Sequence, residues 1–510
     1  MGKLEAAIEI GSTGIRLLVA ELTKNGKRNI LDSSEHPVSL GRDVFTLGII
    51  KKDTLLQSLL ILNKFKEQLQ TWGLTPNETT VIATSALREA KNRDPVLDRI
   101  MVKTGFIVKV IDGIEENRLM YLAVKETLKN SQFSTSLDLD SIILEVGGGS
   151  TEIMLLEKGK IAGAHSLRLG TVIIEQQLKT MMGSINDAKR YVDEFIMNTR
   201  SSLNNELNLN KIKQFIAIGN EPLIVAINAG KPISQSLWEI SKDSFEKFAT
   251  EVQNYSQEEC VARFKISYTE AQALPISLIA YQMFLNITNV EKIIVPETTI
   301  REGIIISKTE TNETNIQQEF YTQIITSAIN LLNKYSGDIN HAQYVRMASV
   351  KLFDFLKTEL GLENKARVLL EIAAILHDVG TFIRSSDHQL HSKYIIENSE
   401  IFGMTKSEIE IVAQISLWHR GAQSMQNDLQ FRALPRSERL TILKLTSILR
   451  IADSLDRAHT QRIQDFNVAF NDNTMTIVTD GTHQNILEKI AITEKSDLFE
   501  SVFGYKVIIN

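Results

Sequence analysis

Two segments of the chain share one pattern of apolar and polar positions. Each begins with an apolar run that contains a single glutamate, at residues 6–10 and at residues 142–146. Each then breaks into glycine, serine and threonine, at residues 11–14 and 147–151, and resumes with apolar residues. A strand that turns tightly on glycine exposes backbone N–H groups, which can bind phosphate oxygens. Two such turns predict one phosphate held between two related domains.

Residues 1–306 have the apolar spacing of strands that alternate with helices. Helical spacing occurs at residues 53–74 and 115–128. Short apolar runs typical of buried strands lie at residues 80–84, 106–111, 141–146, 152–157, 214–218 and 292–295. This alternation around two similar loops predicts two α/β domains, residues 1–125 and residues 126–306, with a cleft between them.

The pattern changes after residue 306. Residues 307–315 are polar and lack apolar periodicity, which is typical of a linker or of a plain surface loop. Residues 316–460 are predominantly helical in spacing, at residues 320–334, 341–360, 365–376, 407–417 and 436–457. Two alternating runs, at residues 467–470 and 475–479, are joined by Asn471-Asp472-Asn473 and predict a hairpin. The sequence therefore predicts a linker, a helical domain and a small β-containing appendage over residues 461–510.

The composition excludes several classes of protein. Of 510 residues, 43% are hydrophobic and 23% are charged, and the net charge is −6, so the chain is globular without the bulk basicity that favours nucleic acid. The single cysteine, Cys260, excludes an internal disulfide framework and fits a reducing compartment. No leader with a basic and an apolar region opens the sequence, and polar residues interrupt the long apolar runs. We therefore expect a soluble, cytoplasmic protein without a membrane partner.

Several short motifs follow one another in order along residues 5–306. They are Glu9-Ile-Gly-Ser-Thr-Gly-Ile-Arg16, Ala83-Thr-Ser-Ala-Leu-Arg-Glu-Ala90, Asp112-Gly-Ile-Glu-Glu-Asn-Arg-Leu119, Glu145-Val-Gly-Gly-Gly-Ser-Thr-Glu152, Ser166-Leu-Arg-Leu-Gly170 and Arg301-Glu302-Gly303. In this order the motifs resemble those of the exopolyphosphatase / guanosine pentaphosphate phosphatase (Ppx/GppA) family. One glycine-rich loop would be a weak signal, whereas the ordered set is specific. The resemblance implies two actin-like (ribonuclease H-like) ATPase-superfamily domains around a cleft.

The chemistry that this resemblance implies is hydrolysis of a terminal phosphoryl group with Mg²⁺. The substrate would be inorganic polyphosphate, or guanosine pentaphosphate at its 5′ γ-phosphate, and the enzyme is expected to be a homodimer. The resemblance assigns Glu116 as the general base and Glu152 as the carboxylate that orients the water or the metal. Without it, Glu115 and Glu116 would be interpreted as acids that favour a helix N-terminus.

The other predicted site residues follow from the groups that phosphate and Mg²⁺ bind. Backbone N–H and hydroxyl groups of both loops can donate to phosphoryl oxygens, and an arginine can bind two such oxygens at once. The predicted phosphate-binding residues are Ser12, Thr13, Gly14, Arg88, Gly147, Gly148, Gly149, Ser150 and Thr151. Considered alone, Arg88 would be a surface ion-pair partner. The loop acids Glu9 and Glu145 are the predicted ligands of Mg²⁺.

The sequence departs from the family pattern at both loop acids. These are normally aspartates, and here they are Glu9 and Glu145. The longer side chain moves each carboxylate by about one bond length, and Mg²⁺ tolerates little displacement of its ligands. Glu221 stands in a segment that replaces a Gly-Gly-Thr turn and would repel a polyanion if it faced the cleft. These changes leave open an alternative function, that of a regulatory protein that binds polyphosphate or (p)ppGpp and hydrolyses it weakly.

A second set of residues in the C-terminal half points to a metal site. His341, the dipeptide His377-Asp378 and Asp453 are ordered as in HD-type metal phosphohydrolases. Imidazoles and carboxylates on packed helices bind Mn²⁺, Fe²⁺ or Mg²⁺. Three further histidines lie between them, namely His388, His391 and His419. We expect Asp456, one turn after Asp453, to form a local ion pair rather than to bind metal.

Longer members of the family carry an HD-like helical domain whose metal ligands are often degraded. Here His341, His377, Asp378 and Asp453 are all present, which favours an intact metal site. Such a site would support an independent metal-dependent nucleotide phosphohydrolase. The alternative is a helical scaffold that dimerises or extends the polyphosphate groove, with hydrogen-bonded histidines.

Overall fold

The computed structural model describes residues 2–510 with the exception of several short segments. These exceptions are residues 24–27, 130–132, 134–137, 182, 207, 309, 358–360, 362–363, 400, 422–424, 426, 472 and 480–485. The chain divides into two compact units, Met1–Glu319 and Phe320–Asn510. Within the described part, no helix has the length and apolar character that a membrane span requires.

The first unit contains two lobes, and each is built on a β-sheet. The strands of the first lobe are β1 (Lys3–Ile10), β2 (Gly14–Leu22), β3 (Arg28–Pro37), β4 (Thr79–Ala83) and β5 (Val108–Val110). They lie in the order β3-β2-β1-β4-β5, in which β1 is antiparallel to β2 and parallel to β4. The helices are α1 (Leu40–Leu47), α2 (Lys52–Thr71), α3 (Ser85–Glu89), α4 (Arg93–Thr104) and α5 (Gly113–Lys129).

The second lobe repeats this arrangement and extends it. Its strands are β6 (Ser141–Val146), β7 (Thr151–Glu157), β8 (Lys160–Leu167), β9 (Gln214–Ile218), β10 (Lys231–Ser234), β11 (Leu237–Ser241) and β12 (Lys292–Pro296). The sheet order is β10-β11-β12-β9-β6-β7-β8. The helices are α6 (Thr171–Met181), α7 (Ile185–Glu206), α8 (Asn220–Ala229), α9 (Lys242–Val252), α10 (Gln257–Phe264) and α11 (Tyr268–Asn286).

The two sheets share one topology. The order β8-β7-β6-β9-β12 of the second lobe corresponds to β3-β2-β1-β4-β5 of the first. In each lobe the glycine loop joins two antiparallel strands, and the first of these strands has a parallel neighbour on its other side. Strands β6 and β7 are buried along most of their length, as expected for strands covered on both faces. The duplication predicted from the two loops is therefore present in the fold.

A helix that follows the second sheet completes the core of the first lobe. Helix α12 (Ile300–Ile306) contributes apolar side chains to a buried cluster that also contains Ala7 and Leu18. Gly303 on this helix lies against α5, because a Cβ atom added there would be 2.1 Å from the Leu119 carbonyl oxygen. Lys308 forms an ion pair of 3.0 Å with the buried Glu5 of β1. The chain thus returns to the first lobe after building the second.

A helix begins inside the segment that we predicted to be a linker. Helix α13 (Glu310–Lys334) starts within residues 307–315. Apolar periodicity indicates only helices with an apolar face, so a helical extension made of polar residues leaves no such signal. The domain boundaries that we assigned around this segment remain a prediction.

The second unit is mainly helical and ends in a small sheet. Its helices are the end of α13, α14 (Ile339–Phe355), α15 (Asn364–Leu376), α16 (His388–Glu397), α17 (Lys406–Trp418), α18 (Leu429–Ala433), α19 (Arg436–Ser454), α20 (Ile486–Lys495) and α21 (Asp497–Phe503). The strands are β13 (Phe466–Asn471), β14 (Thr474–Thr479) and β15 (Lys506–Ile509). Strands β13 and β14 form the predicted hairpin, and β15 pairs parallel to β14. Asp472 of the predicted turn and residues 358–360 of a predicted helix lie outside the described residues.

Candidate active site and metal cluster

The two glycine loops of the first unit meet at a cavity. A Cβ atom added at Gly148 would lie 3.0 Å from Ser12 Cβ and 3.1 Å from Thr13 Cγ2, so the loops are in contact. The cavity beside them has a volume of about 330 Å³. The residues of the two loop motifs that line it are Glu9, Gly11, Ser12, Thr13, Arg16, Glu145, Val146, Gly147, Gly148, Ser150 and Glu152. The structure therefore brings most of the predicted phosphate-binding residues together.

Four predicted phosphate-binding residues are not among the described residues that line this cavity, namely Gly14, Arg88, Gly149 and Thr151. Thr151 is fully buried and its hydroxyl donates to the Leu169 carbonyl oxygen, so our expectation that this hydroxyl binds phosphate needs correction. Gly149 packs against Phe45, since an added Cβ would lie 2.4 Å from Phe45 Cζ. Gly14 lies at the start of β2 and pairs with Pro37. Thr151, Gly149 and Gly14 therefore contact other parts of the first unit.

Glu116, which lines the cavity, forms a partly buried ion pair with Arg88. Arg88 Nη1 lies 2.5 Å from Glu116 Oε1 and also donates to the Ile111 carbonyl oxygen at 2.8 Å. Burial raises the pKa of Glu116 to about 7, although the guanidinium of Arg88 acts in the opposite direction. A carboxylate with such a pKa can accept a proton near neutral pH. Arg88, predicted to bind phosphate, here holds the predicted base.

Glu152 is held by two side chains that donate to it. Asn117 Nδ2 donates to Glu152 Oε2 at 3.1 Å, and Ser166 Oγ donates to Glu152 Oε1 at 2.8 Å. Burial, followed by the charge of Glu116, raises the pKa of Glu152 well above its usual range. Our sequence interpretation assigned no role to Asn117, although it directly follows Glu116 in the Asp112–Leu119 motif. Both oxygens of Glu152 are fixed, which suits an orienting group.

The cavity is rich in acids. Its lining contains seven glutamates (Glu9, Glu35, Glu116, Glu145, Glu152, Glu221 and Glu270) and two arginines (Arg16 and Arg301). Arg16 is itself paired with Glu35 at 2.7 Å and with Glu9 at 3.4 Å. Glu221 does face the cavity, and burial raises its pKa to about 7. A polyanion therefore needs additional positive charge to enter.

The donor set of the cavity fits a hard divalent cation. Glu9 and Glu145 both line it, and carboxylate oxygens are ligands that Mg²⁺ accepts. Burial and the neighbouring charge of Glu9 raise the pKa of Glu145 to about 8. A bound cation stabilises the ionised form of such a carboxylate.

A second cluster lies in the helical unit and contains all four residues of the predicted metal site. Ligand atoms of His341, His377 and Asp453 lie within 4.8 Å of one another, and all three residues are buried. His341 Nε2 is 3.5 Å and His377 Nε2 is 3.8 Å from Asp453 Oδ1, and Asp378 Oδ2 is 4.0 Å from His341 Nε2. In the part of the chain that the structure describes, both of these Nε2 atoms are buried without a hydrogen-bond partner. The donor set fits a divalent transition metal.

Two residues outside the predicted set orient this cluster. Asp456 Oδ2 lies 2.9 Å from His341 Nδ1, so the expected local ion pair of Asp456 is instead made with a predicted metal ligand. Lys495 Nζ contacts Asp453 Oδ2, which leaves Oδ1 directed at the two imidazoles. A residue that hydrogen-bonds the side of a metal ligand facing away from the metal determines the orientation and the tautomer of that ligand. Lys495 lies 42 positions after Asp453, and sequence spacing gave no indication of the contact.

Comparison with known proteins identifies the two parts of the chain. The profile of the Ppx/GppA phosphatase family matches residues 18–312, and that of Ppx/GppA phosphatase domain III matches residues 325–500. The chain is similar to a guanosine-5′-triphosphate,3′-diphosphate pyrophosphatase of Photobacterium profundum, with 21% identity over 464 residues, 88% of this chain and 85% of the relative.

The fold also resembles a solved structure. A crystal structure of an exopolyphosphatase from Cytophaga hutchinsonii ATCC 33406 matches with a TM-score of 0.52 and 20% identity, over 60% of this chain and 97% of that chain. This likeness shows that the two proteins share a fold over the matched part of the chain, and the actin-like superfamily remains a prediction. For the second unit the matching profile is domain III of the same family, and its HD-like character remains a prediction.

Proposed function

Since the chain belongs to the Ppx/GppA phosphatase family, we propose that it is a phosphohydrolase that releases terminal phosphate. The substrate is inorganic polyphosphate or the 5′ γ-phosphate of guanosine pentaphosphate. The observation that carries the proposal is the position of Glu116, a buried carboxylate with a pKa of about 7, in the cavity where two glycine loops meet. This arrangement places a base for water next to donors for phosphoryl oxygens.

In the proposed reaction, the loops bind the terminal phosphoryl group and Glu116 activates water. The backbone N–H group of Gly148, with the hydroxyls of Ser12 and Ser150, donates to the phosphoryl oxygens. The water oxygen forms a bond to phosphorus while the anhydride P–O bond breaks on the opposite side. Glu116 takes the proton of the water, and the leaving phosphate keeps the electron pair of the broken bond.

Mg²⁺ is part of this proposal. Glu9 and Glu145 would hold it, and when bound it supplies positive charge for the substrate's phosphate oxygens. The need follows from the seven glutamates of the cavity lining, against two arginines. Glu152, fixed by Asn117 and Ser166, would orient the water or a ligand of the ion.

The test follows free phosphate from long-chain polyphosphate with Mg²⁺ and the purified full chain. We expect steady release of orthophosphate without chains of intermediate length, loss of release in Glu116→Gln, and unchanged release in His377→Ala. Guanosine pentaphosphate is tested in parallel, and the faster substrate identifies the preference. Absence of phosphate release from both substrates under any divalent metal would exclude the proposed hydrolysis.

A second candidate function belongs to the helical unit. The buried cluster of His341, His377 and Asp453, together with Asp378, favours metal-dependent hydrolysis of a nucleotide phosphate. The same two variants separate this candidate from the first, because His377→Ala would then be inactive and Glu116→Gln would retain activity.

The regulatory alternative is tested by the loop acids. The acid-rich lining and the paired change to Glu9 and Glu145 favour it over fast turnover. Tight binding of polyphosphate without hydrolysis would support it, and the double variant Glu9→Asp/Glu145→Asp should then gain activity. Failure to gain activity would show that the longer side chains are not the cause of slow turnover.

A further inference from the structure

The helical unit has a groove between helices α13, α14 and α15. Its volume is about 670 Å³, which is within the range of about 300–1,000 Å³ that is usual for ligand pockets. The α14 residues that line it, from Gln343 to Phe355, recur every three or four positions and form one face of the helix, about 18 Å long. The groove shares no residue with the metal-ligand groups found among the described residues.

A fully buried carboxylate in the wall of this groove holds two arginines. Arg346 Nε and Tyr321 Oη donate to Glu371 Oε2 at 2.8 Å and 2.6 Å. Arg367 Nη1 donates to Glu371 Oε1 at 2.7 Å. A buried carboxylate is costly unless it is paired, and here one negative charge meets two guanidinium groups. Glu371 therefore fixes the orientation of both guanidinium groups and leaves an excess of positive charge.

The two guanidinium groups differ in how fully they are paired. Arg367 also donates to both carboxylate oxygens of Asp354, at 3.1 Å and 3.3 Å. The second contact of Arg346 is the neutral hydroxyl of Tyr321, at 3.0 Å. Within the described residues, Nη1 of Arg346 has no hydrogen-bond partner. Arg346 is partly exposed, so it can donate to an anionic group in the groove.

Lys351 gives the groove a second cation that a ligand can reach. Its ion-pair partner is Asp465, whose side chain is 75% exposed. Ion pairs with such an exposed partner contribute little to stability, so an anionic ligand can replace Asp465 at small cost. Three basic and two acidic side chains line this groove, whereas seven glutamates and two arginines line the cavity of the first unit. The charge of the groove therefore favours an anion.

Apolar side chains form the rest of the α14 face. Met347 is 42% exposed and Phe355 is 41% exposed, and Val350 lies between them along the helix. Covering such side chains with an apolar group removes them from water, which favours binding. The groove thus presents fixed positive charge beside an apolar surface.

We propose that this groove binds a small organic anion, which has an aromatic or aliphatic body and one anionic group. Arg346 and Lys351 bind the anionic group, and Met347, Val350 and Phe355 contact the body. The charge of the lining and the volume of the groove both fit such a ligand. The site is independent of the phosphate release proposed for the first unit and of the metal cluster in the helical unit.

The experiment measures how tightly the full chain binds anilinonaphthalenesulfonate, a fluorescent probe with aromatic rings and one sulfonate group. Arg346→Met and Lys351→Met should each weaken binding about tenfold, because each removes a charge-assisted contact. Phe355→Ser should weaken it about three- to tenfold, because apolar contact with the rings is lost. Lys351 and Phe355 are at least partly exposed, so their variants test the proposal even if Arg346→Met fails to fold.

The matched controls lie on α18 of the same unit. Arg432→Met removes an exposed arginine and Leu429→Ser removes an exposed apolar side chain, and neither residue lines the groove. Both variants should bind the probe as tightly as the unaltered chain. Unchanged binding in the groove variants, or equal losses in the groove variants and the controls, would overturn the proposal.

Competition against the probe distinguishes an organic anion from other occupants. Naphthalenesulfonate should displace the probe, whereas methanesulfonate and naphthol, which have only the anionic group or only the aromatic body, should displace it far more weakly. Naphthoate and naphthylphosphonate should also displace it, and the tighter of the two identifies the preferred anionic group. Displacement by inorganic polyphosphate as strong as that by naphthalenesulfonate would show that the apolar body is not needed, and would overturn the proposal.

The molar mass of the chain tests a second copy as the occupant. Light scattering should give the same mass for Phe355→Ser and for the unaltered protein at the same concentration. A change from dimer to monomer in this variant would show that another chain covers the groove, which would overturn the proposal of a small ligand.

Discussion

Glu145 and Glu152 are directly opposite each other on the antiparallel strands β6 and β7, and both carboxylates face the same cavity. Residues that are direct partners in a sheet project from the same face, so this neighbourhood is fixed by strand register. Burial raises the pKa of both groups, that of Glu145 to about 8. The fold therefore holds together acids that are costly to ionise without a cation.

The first prediction concerns stability without metal. Folded Glu145 keeps its proton from about pH 4.5 to about pH 8, where the unfolded chain has lost it, so its contribution to stability falls as pH rises through that window. Glu145→Gln removes this cost. At pH 9 the variant should melt at a higher temperature than the unaltered protein, by roughly 2 °C or more for each kcal/mol of stability gained, and at pH 5 the two should melt at nearly the same temperature. Melting curves in chelator test this. Exposed Glu157→Gln is the control, and equal shifts in both variants would contradict the argument.

The second prediction separates two adjacent acids on one helix. Glu116→Gln should reduce phosphate release by about 10²–10⁴-fold, because a general base is lost. Glu115 is paired with Arg118 at 2.6 Å, and Glu115→Gln should change the rate by less than about threefold. Initial rates at saturating substrate give the comparison. Similar losses in both variants would point to a structural effect at the start of α5.

The third prediction is a pH profile. Only ionised Glu116 accepts a proton, so kcat/KM should rise with pH up to about 7 and then level off. The guanidinium of Arg88 lowers the pKa of Glu116, and Arg88→Met should therefore move the rising limb to higher pH. The control is Arg168→Met. Arg168 is exposed and is paired with Glu89 at 3.0 Å, so the rising limb of the pH profile should stay at the same pH in this variant. An unmoved limb in Arg88→Met would remove Glu116 as the titrating group.

The fourth prediction concerns substrate affinity. Glu221 faces the cavity, and its pKa of about 7 means that it is charged at pH 8. Glu221→Gln should lower KM for polyphosphate roughly three- to tenfold at pH 8, since repulsion on the order of 1 kcal/mol is removed. Steady-state kinetics at fixed Mg²⁺ measure this. A KM that is unchanged at pH 8 would show that Glu221 does not meet the substrate.

The fifth prediction tests the contact between α12 and α5. Gly303→Ala would place a methyl group 2.1 Å from the Leu119 carbonyl oxygen, so one helix must move. We expect a loss of about 1–3 kcal/mol or more of stability and reduced activity, because α5 carries Glu116. Melting temperature and kcat are measured together. A stable variant with full activity would show that this close approach is not needed.

Much of the fold could be predicted from apolar periodicity, and the failures have physical reasons. Strand β6 was predicted with its observed bounds because it is apolar on both faces. Strand β3 (Arg28–Pro37) was missed because most of its residues are partly or fully exposed and polar, so it lacks an apolar signal. Helix α13 was predicted too short because its first two turns are polar.

For the site, motifs gave the residues but not their contacts. Glu116 and Arg88 were assigned separate roles, and only the fold shows that they are paired. Thr151 was predicted to bind phosphate because a threonine hydroxyl can donate a hydrogen bond, but this hydroxyl donates to the Leu169 carbonyl oxygen. His388 and His419 were noted as histidines near a metal motif, but their meeting at Asp378 depends on how α16 and α17 pack. Such contacts join positions far apart in the sequence, where spacing carries no information.

The return of α12 to the first lobe sets an order for folding during synthesis. All five strands of the first sheet have been made by residue 110, but one layer of its core needs Ile300, Ile304 and Ile305. A nascent chain must therefore carry the first lobe with part of its apolar surface uncovered while nearly two hundred further residues are added. Contacts of such long sequence separation form late. The lobe that is translated first is thus among the last to be completed.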